Sequence, residues 1–169
     1  MSRTIAVMHS ELVTAIDDHL RRLEQLVRMI DASAWNAATH RKNAGIRAYV
    51  DSIASHLVLA DGFSSMAELK VIQALHREIV KWEDARSFVR ETVDAYPDAL
   101  IAVPTFLSAA VLHDSASGAR VSSALAGELE SLFALFALAD GEVAPRERAG
   151  LNEVRTTIHG ALRAVTDAG

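Results

Sequence analysis

A chain of 169 residues with a formal net charge of −5 has the size of one domain that buries its own core, and it contains no cysteine. Disulfides, thiolate metal sites and cysteine nucleophiles are therefore excluded. The negative charge and the lack of a clustered basic face argue against a nucleic-acid partner and favour cations or basic protein surfaces. With only 3 prolines and frequent alanine and leucine, the composition predicts an all-α single domain over residues 1–169.

The first third of the chain predicts two long helices. Apolar residues recur at helical spacing within residues 10–30 and again within residues 44–60. The more polar residues 31–43 between them predict a connection with a short helical turn around Trp35. His56 shares a face of the second helix with apolar residues, which predicts a hydrogen-bonded histidine of the core rather than a metal ligand.

A bend and a capping box separate the second predicted helix from the third. Asp61-Gly62 ends the second helix, because glycine adopts the left-handed conformation that closes a helix. Ser65-Met66-Ala67-Glu68 then has the S-x-x-E form of a capping box and predicts the start of a new helix. A further helix is predicted at about residues 83–96, and Pro97 stops it.

The second half of the chain predicts three further helical segments, which brings the total to about seven helices. Residues 98–113 are strongly apolar, and Pro104 predicts either a kink or the opening of the main helix there. Asp114 to Gly118 predicts a loop. Residues 119–139 predict a helix whose last turns are apolar on all sides and therefore buried, and Pro145 predicts the start of the final helix.

The longest apolar stretch predicts a core helix rather than a membrane span. It runs from Ala99 to Leu112 and is interrupted by Pro104 and by polar residues. A helix needs about 20 apolar residues to cross a bilayer, and this stretch is shorter. The first eight residues hold one basic residue and a very short apolar patch, which does not match a signal peptide. The expectation is a soluble, cytoplasmic protein without a transmembrane helix.

One short pattern occurs twice in the chain. When residues 56–75 are set beside residues 135–154, five of the twenty positions are identical, and these five lie at the bends. Both copies read Leu-Ala-Asp-Gly, five further residues and a glutamate, with an apolar helix on either side. This pairing of positions, called the repeat alignment below, predicts an internal duplication: two helix–turn–helix repeats, near 44–96 and 119–166, related by an approximate two-fold axis.

The second copy, Leu-Ala-Asp-Gly-Glu-Val-Ala-Pro-Arg-Glu at residues 138–147, resembles the A-D-G-x-V-x-x-x-E signature of the TerB-like (tellurite-resistance protein B-like) family. Residues 59–68 resemble the same signature in a degenerate form, with Ser64 where a branched apolar residue is expected. The resemblance implies an all-helical, two-repeat fold, a non-enzymatic role in bacterial stress response or phage defence, and a metal or partner site at the acidic turns. By position, that site falls on Asp61, Glu68, Asp140 and Glu147.

Local structure offers a competing explanation for these carboxylates. Asp-Gly is favourable turn chemistry, although the helix dipole disfavours an aspartate at the carboxyl end of a helix by about 0.3–1 kcal/mol. Glu68 is explained by the capping box with Ser65. Glu147 is explained less well, because Ala144 stands where that box needs a hydroxyl group.

A cation at the second bend would be held by carboxylate oxygens of Asp140, Glu142 and Glu147, with waters in the remaining positions. Such ligands favour calcium, magnesium or manganese. The bends are not EF-hands, because that loop needs oxygen ligands four and two residues before the aspartate. Apolar residues stand there instead: Leu57 and Leu59 in the first copy, Phe136 and Leu138 in the second.

No catalytic residue is predicted, so an enzyme is not expected. The sequence has no nucleophile elbow, phosphate-binding loop or dinucleotide fingerprint, and its histidines lack metal-ligand spacing. The pair His113-Asp114 predicts a surface turn. A helical enzyme of unrecognised type remains as a minor alternative.

The main alternative to a cation site is a helical adaptor that binds a protein partner through an exposed apolar face, with no metal. The candidate faces are formed by Phe106 and Leu107 or by Phe133 and Phe136. A protein partner is expected in either case, while its identity, its contact residues and the oligomeric state are left open.

Overall fold

The computed structural model describes residues 2–38, 45–60, 62, 65–138 and 143–166. Within these residues the fold is all-α, as predicted, and has no strand. Eight α-helices and one short 3-10 turn follow one another along this part of the chain. They are α1 (Ser2–Val27), α2 (Ala32–Ala38), α3 (Ile46–Val58), α4 (Met66–Leu75), α5 (Trp82–Ala95), the 3-10 turn (Ala99–Ile101), α6 (Thr105–Ser117), α7 (Val121–Ala137) and α8 (Pro145–Thr166).

The additional helix relative to the prediction is α2, which forms because Asp31 caps its first turn. The Asp31 carboxylate accepts hydrogen bonds from the Ser33 hydroxyl at 2.5 Å and from the Ala34 amide at 3.4 Å. The imidazole of His113, on α6, lies 2.8 Å from the other carboxylate oxygen. These contacts, with the Ser33 hydroxyl as the largest cause, lower the pKa of Asp31 to about 2. His113 is thus an interhelical contact, and the predicted surface turn is wrong.

Three helix starts follow the sequence prediction. The Ser65 hydroxyl accepts a hydrogen bond from the Glu68 amide at 3.2 Å, and the Glu68 carboxylate accepts one from the Ser65 amide, so the capping box before α4 is confirmed. Pro104 directly precedes α6 with an extended backbone, so it opens that helix rather than kinking it. Pro145 is the first residue of α8, where a missing amide hydrogen costs nothing.

The predicted loop from Asp114 to Gly118 is wrong, because α6 continues to Ser117 and only Gly118 leaves the helix, with φ 73°. Asp114 belongs to α6 but caps α7. Its carboxylate accepts hydrogen bonds from the amides of Val121 at 2.9 Å and Ser122 at 2.8 Å, and from the Ser122 hydroxyl at 2.6 Å. The small polar residues typical of a loop therefore form a helix end that holds the next helix in place.

Helix α7 lies at the centre of the core, with α1, α3, α6 and α8 packed around it. Its Phe133 and Phe136 are among the largest fully buried side chains, together with Phe106 of α6. Tyr49 of α3 contacts Phe106 and Phe133 edge to face, with ring centroids 5.7 and 6.0 Å apart. The apolar faces suggested for an adaptor are therefore not on the surface. All four of their residues belong to the core: Phe106, Leu107, Phe133 and Phe136.

The stretch Ala99–Ser117 is long and apolar enough to cross a membrane by length and composition alone. Pro104 divides it into the 3-10 turn and α6, so it is not one continuous helix. Helix α6 packs against α2, α7 and α8, and its Ala109 and Ala110 are fully buried. This packing places α6 in the core of the helical fold.

Candidate functional site

Two helical hairpins carry the repeated pattern: α3 with α4, and α7 with α8. Helix α3 packs against α4, α7 and α8, and α4 also packs against α7. The two hairpins therefore share one core and are not separate units.

The first helix of each hairpin ends in the same way. Leu59 follows α3 with φ −99° and ψ 3°, and Leu138 follows α7 with φ −95° and ψ 4°. The Leu59 amide donates to the Ser55 carbonyl at 3.0 Å, and the Leu138 amide donates to the Ala134 carbonyl at 3.1 Å. The repeat alignment pairs the two donors with each other, and its extension by one residue pairs the two acceptors. Both bends therefore begin from equivalent backbone geometry.

The second helix of each hairpin begins with a buried glutamate. Glu68 is 5% exposed and Glu147 is 3% exposed. The Ser65 amide donates to the Glu68 carboxylate, and the Ala144 amide donates to the Glu147 carboxylate at 2.7 Å. Capping by the carboxylate is thus present in both copies, although Ala144 has no hydroxyl to complete the box. A carboxylate has about four lone-pair sites, so capping an amide and binding a ligand are compatible roles for one such group.

Removing the second glutamate tests this capping role. We expect Glu147→Ala to lower the free energy of unfolding by about 0.5–2 kcal/mol, because the Ala144 amide loses its acceptor. Glu147→Gln keeps an acceptor oxygen and should cost less. Urea unfolding followed by circular dichroism measures both, with Glu153→Ala, at an exposed position of the same helix, as the control. No difference between Glu147→Ala and the control would show that this carboxylate does not stabilise the helix start.

Three of the five predicted site residues, Asp61, Asp140 and Glu142, lie outside the described residues. Gly62, which follows Asp61, has φ 86°, the left-handed conformation predicted for the glycine that closes the helix before the first bend. In the part of the chain that the structure describes, no group of three or more histidine, aspartate and glutamate side chains is arranged to hold a metal ion. Glu68 and Glu147 are each placed at a helix start, and a metal site at the bends stays a prediction.

An open cleft of about 400 Å³ lies where the two hairpins meet, between the end of α3, α5, the 3-10 turn and the start of α8. Gly150 of α8 permits a close approach to α3, since a Cβ atom there would lie 3.2 Å from Leu57. On the wall of the cleft, His56 donates its Nε2–H to the Tyr96 carbonyl at 2.8 Å. This histidine is hydrogen-bonded, as predicted, but half-buried rather than in the core. The charged side chains of the lining are Arg146 and Glu153.

A pair of ionisable side chains joins the two helices of each hairpin. Asp51 Oδ1 of α3 lies 2.9 Å from Nε2 of His76, the residue that ends α4. Glu130 Oε2 of α7 lies 3.3 Å from Nε of Arg155 in α8. When the repeat alignment is extended at both ends, it pairs the acidic residues Asp51 and Glu130 with each other and the basic residues His76 and Arg155 with each other. Sequence reasoning missed these pairs because its comparison of the copies stopped short of all four residues.

Comparisons with protein-family models, with curated proteins and with solved structures give no match to this chain. The resemblance to TerB-like proteins therefore rests on the two short motifs. A helical fold alone does not define a function, and the chemistry of the site is what indicates one.

Proposed function

We propose that the chain is a TerB-like, non-enzymatic binding module of a bacterial stress response, located in the cytoplasm, whose second acidic bend binds a divalent cation. The observation that carries the proposal is the matched construction of the two hairpins. Equivalent helix ends, equivalent glutamate–amide bonds and equivalent acid–base pairs all fall at positions that the repeat alignment pairs. A duplicated hairpin explains this agreement, since the geometry matches at positions where the residues differ.

The packing of the hairpins supports the same origin. The first helices of the two hairpins, α3 and α7, contact each other. Each of them also contacts the second helix of the other hairpin: α3 contacts α8, and α7 contacts α4. An approximate two-fold axis that exchanges α3 with α7 and α4 with α8 would produce these reciprocal contacts. Under this proposal, the two bends are equivalent positions of one ancestral unit.

The second bend is the better cation site on chemical grounds. It carries Asp140, Glu142 and Glu147, whereas the first bend has Phe63 at the position equivalent to Glu142. Carboxylate oxygens are hard ligands, which favour calcium, magnesium or manganese over softer metals. The Ala144 amide fixes one oxygen of Glu147, which reduces the ordering that a cation would have to impose on that side chain.

The same carboxylates would attract a basic surface of a protein partner. A cation bound at the bend neutralises part of their charge, so cation and basic partner are expected to compete for it. Competition of this kind would make the bend a sensor that releases or accepts its partner as the cation concentration changes.

Titration calorimetry with calcium, magnesium and manganese tests the cation site. We expect saturable binding of at least one ion by the wild type, and a loss of affinity of about tenfold or more in Asp140→Asn and in Glu142→Gln, because each removes a charged oxygen ligand. Asp61→Asn, the matched change at the first bend, should have a smaller effect.

Glu91→Gln removes an equal charge from an exposed position of α5 and serves as the control for net charge. Equal heats in the wild type and the variants of the second bend would remove the cation proposal. Retained partner binding in those variants would then favour an adaptor that uses no metal.

A further inference from the structure

His76 lies between two carboxylates at the end of α4: Asp51, which is largely buried, and Glu78, whose side chain is 75% exposed. Its Nε2 lies 2.9 Å from Asp51 Oδ1, and its Nδ1 lies 3.2 Å from Glu78 Oε1. The imidazole ring also packs on Phe88 of α5, with ring centroids 4.6 Å apart. The side chains of His76 and Asp51 are only 18% and 13% exposed. Because both ring nitrogens face acceptors, only the doubly protonated imidazolium donates a hydrogen bond to each of them.

The surroundings favour this charged form. The hydrogen bond that His76 donates to the Asp51 carboxylate is the largest cause that raises the pKa of His76 above its ordinary value of 6.5, with burial acting in the opposite direction and Glu78 adding to the rise. The other charged group nearby on α3 is Arg47, whose guanidinium donates to the Leu75 carbonyl at 3.0 Å. On the side of α1, which packs against α4, the next residue Arg77 forms an ion pair with Asp17.

The second hairpin carries a permanent charge at the equivalent position. Arg155 contacts Glu130 at 3.3 Å, and arginine is a permanently charged residue type, unlike histidine. His159 also contacts Glu130, with 2.7 Å between Nε2 and Oε1. The two hairpins thus have the same acid–base bridge, but only that of the first hairpin depends entirely on a side chain that titrates near neutral pH.

We propose that protonation of His76 controls how firmly α3 and α4 are held together, so that alkaline pH loosens the first hairpin and not the second. Deprotonation leaves one ring hydrogen for two carboxylates, and the other nitrogen then presents a lone pair to an oxygen. The bridge is complete at pH values below the unfolded-state pKa and is lost as pH rises through the raised folded-state value. The hairpin affected is the one with the degenerate bend, and the proposal does not depend on cation binding.

Hydrogen exchange in the full chain compares the two hairpins within one molecule. After correction for intrinsic exchange rates, the protection of α4 relative to α8 should fall roughly three- to tenfold between about pH 6 and about pH 9. His76→Arg gives the first hairpin the permanent cation of the second, and it should abolish this relative change. A parallel change of α4 and α8 in the wild type would overturn the proposal, and so would persistence of the relative change in His76→Arg.

Asp51→Asn provides a second measurement, in case arginine disturbs the packing on Phe88. It removes the charge that favours the imidazolium while leaving a hydrogen-bond acceptor in place. The transition in α4 protection should then move to lower pH, towards the ordinary value for histidine. An unchanged midpoint would show that the Asp51–His76 contact does not govern the first hairpin.

Discussion

Phe133→Ala is expected to lower the free energy of unfolding by about 3–5 kcal/mol, the range for truncating a fully buried phenylalanine. The ring is 1% exposed on the central helix α7. It contacts Tyr49 edge to face at 6.0 Å and lies 6.1 Å from the ring of Phe136. The loss therefore combines a cavity with two broken aromatic contacts. Equilibrium urea unfolding followed by circular dichroism measures it.

Phe133→Leu is the matched control, because it keeps an apolar side chain in the same site and leaves a smaller cavity. It should cost clearly less than the alanine variant. A cost below about 1 kcal/mol for Phe133→Ala is typical of a surface position. That result would indicate that Phe133 is exposed, and this part of α7 would again be a candidate docking face.

Most helix boundaries could be predicted because each depends on a few neighbouring residues. The box of Ser65 and Glu68, and the prolines 104 and 145, act within one helical turn. Helix α2 was predicted only as a short helical turn around Trp35, because residues 31–43 lack an apolar stripe, although Asp31 is a favourable capping residue. Its helical conformation depends on that cap and on packing against α6, and the spacing of apolar residues along the sequence indicates neither of them.

The site was less predictable than the fold, because its informative contacts join different helices. The bends were found since both retain Asp-Gly and a glutamate at fixed spacing. The bridges were not found, because the compared ranges ended before them and because His76 and Arg155 are both basic but not identical. The sequence also does not indicate which side of α7 is covered. The end of this helix is apolar on all sides, and the helices packed against it determine which residues are buried.

Asp114→Ala is expected to destabilise the protein by about 1–3 kcal/mol, because three hydrogen bonds to the start of α7 lose their acceptor. Arg120, the residue at the capping position of α7, makes no side-chain hydrogen bond to the helix and cannot replace it. Ser122 is buried, so water does not readily satisfy its hydroxyl once Asp114 is gone. Thermal and urea unfolding measure the loss, with Ser115→Ala as a control on the same helix.

The sign of the Asp114 effect separates two roles for that residue. Asp114 lies in the last turn of α6, where the helix dipole disfavours a negative charge by about 0.3–1 kcal/mol. If it were only a surface residue of α6, its removal would leave stability unchanged or raise it slightly. Capping of α7 predicts a loss instead. Asp114→Asn should fall between the two, because its single side-chain oxygen accepts fewer of the three hydrogen bonds while the unfavourable charge is gone.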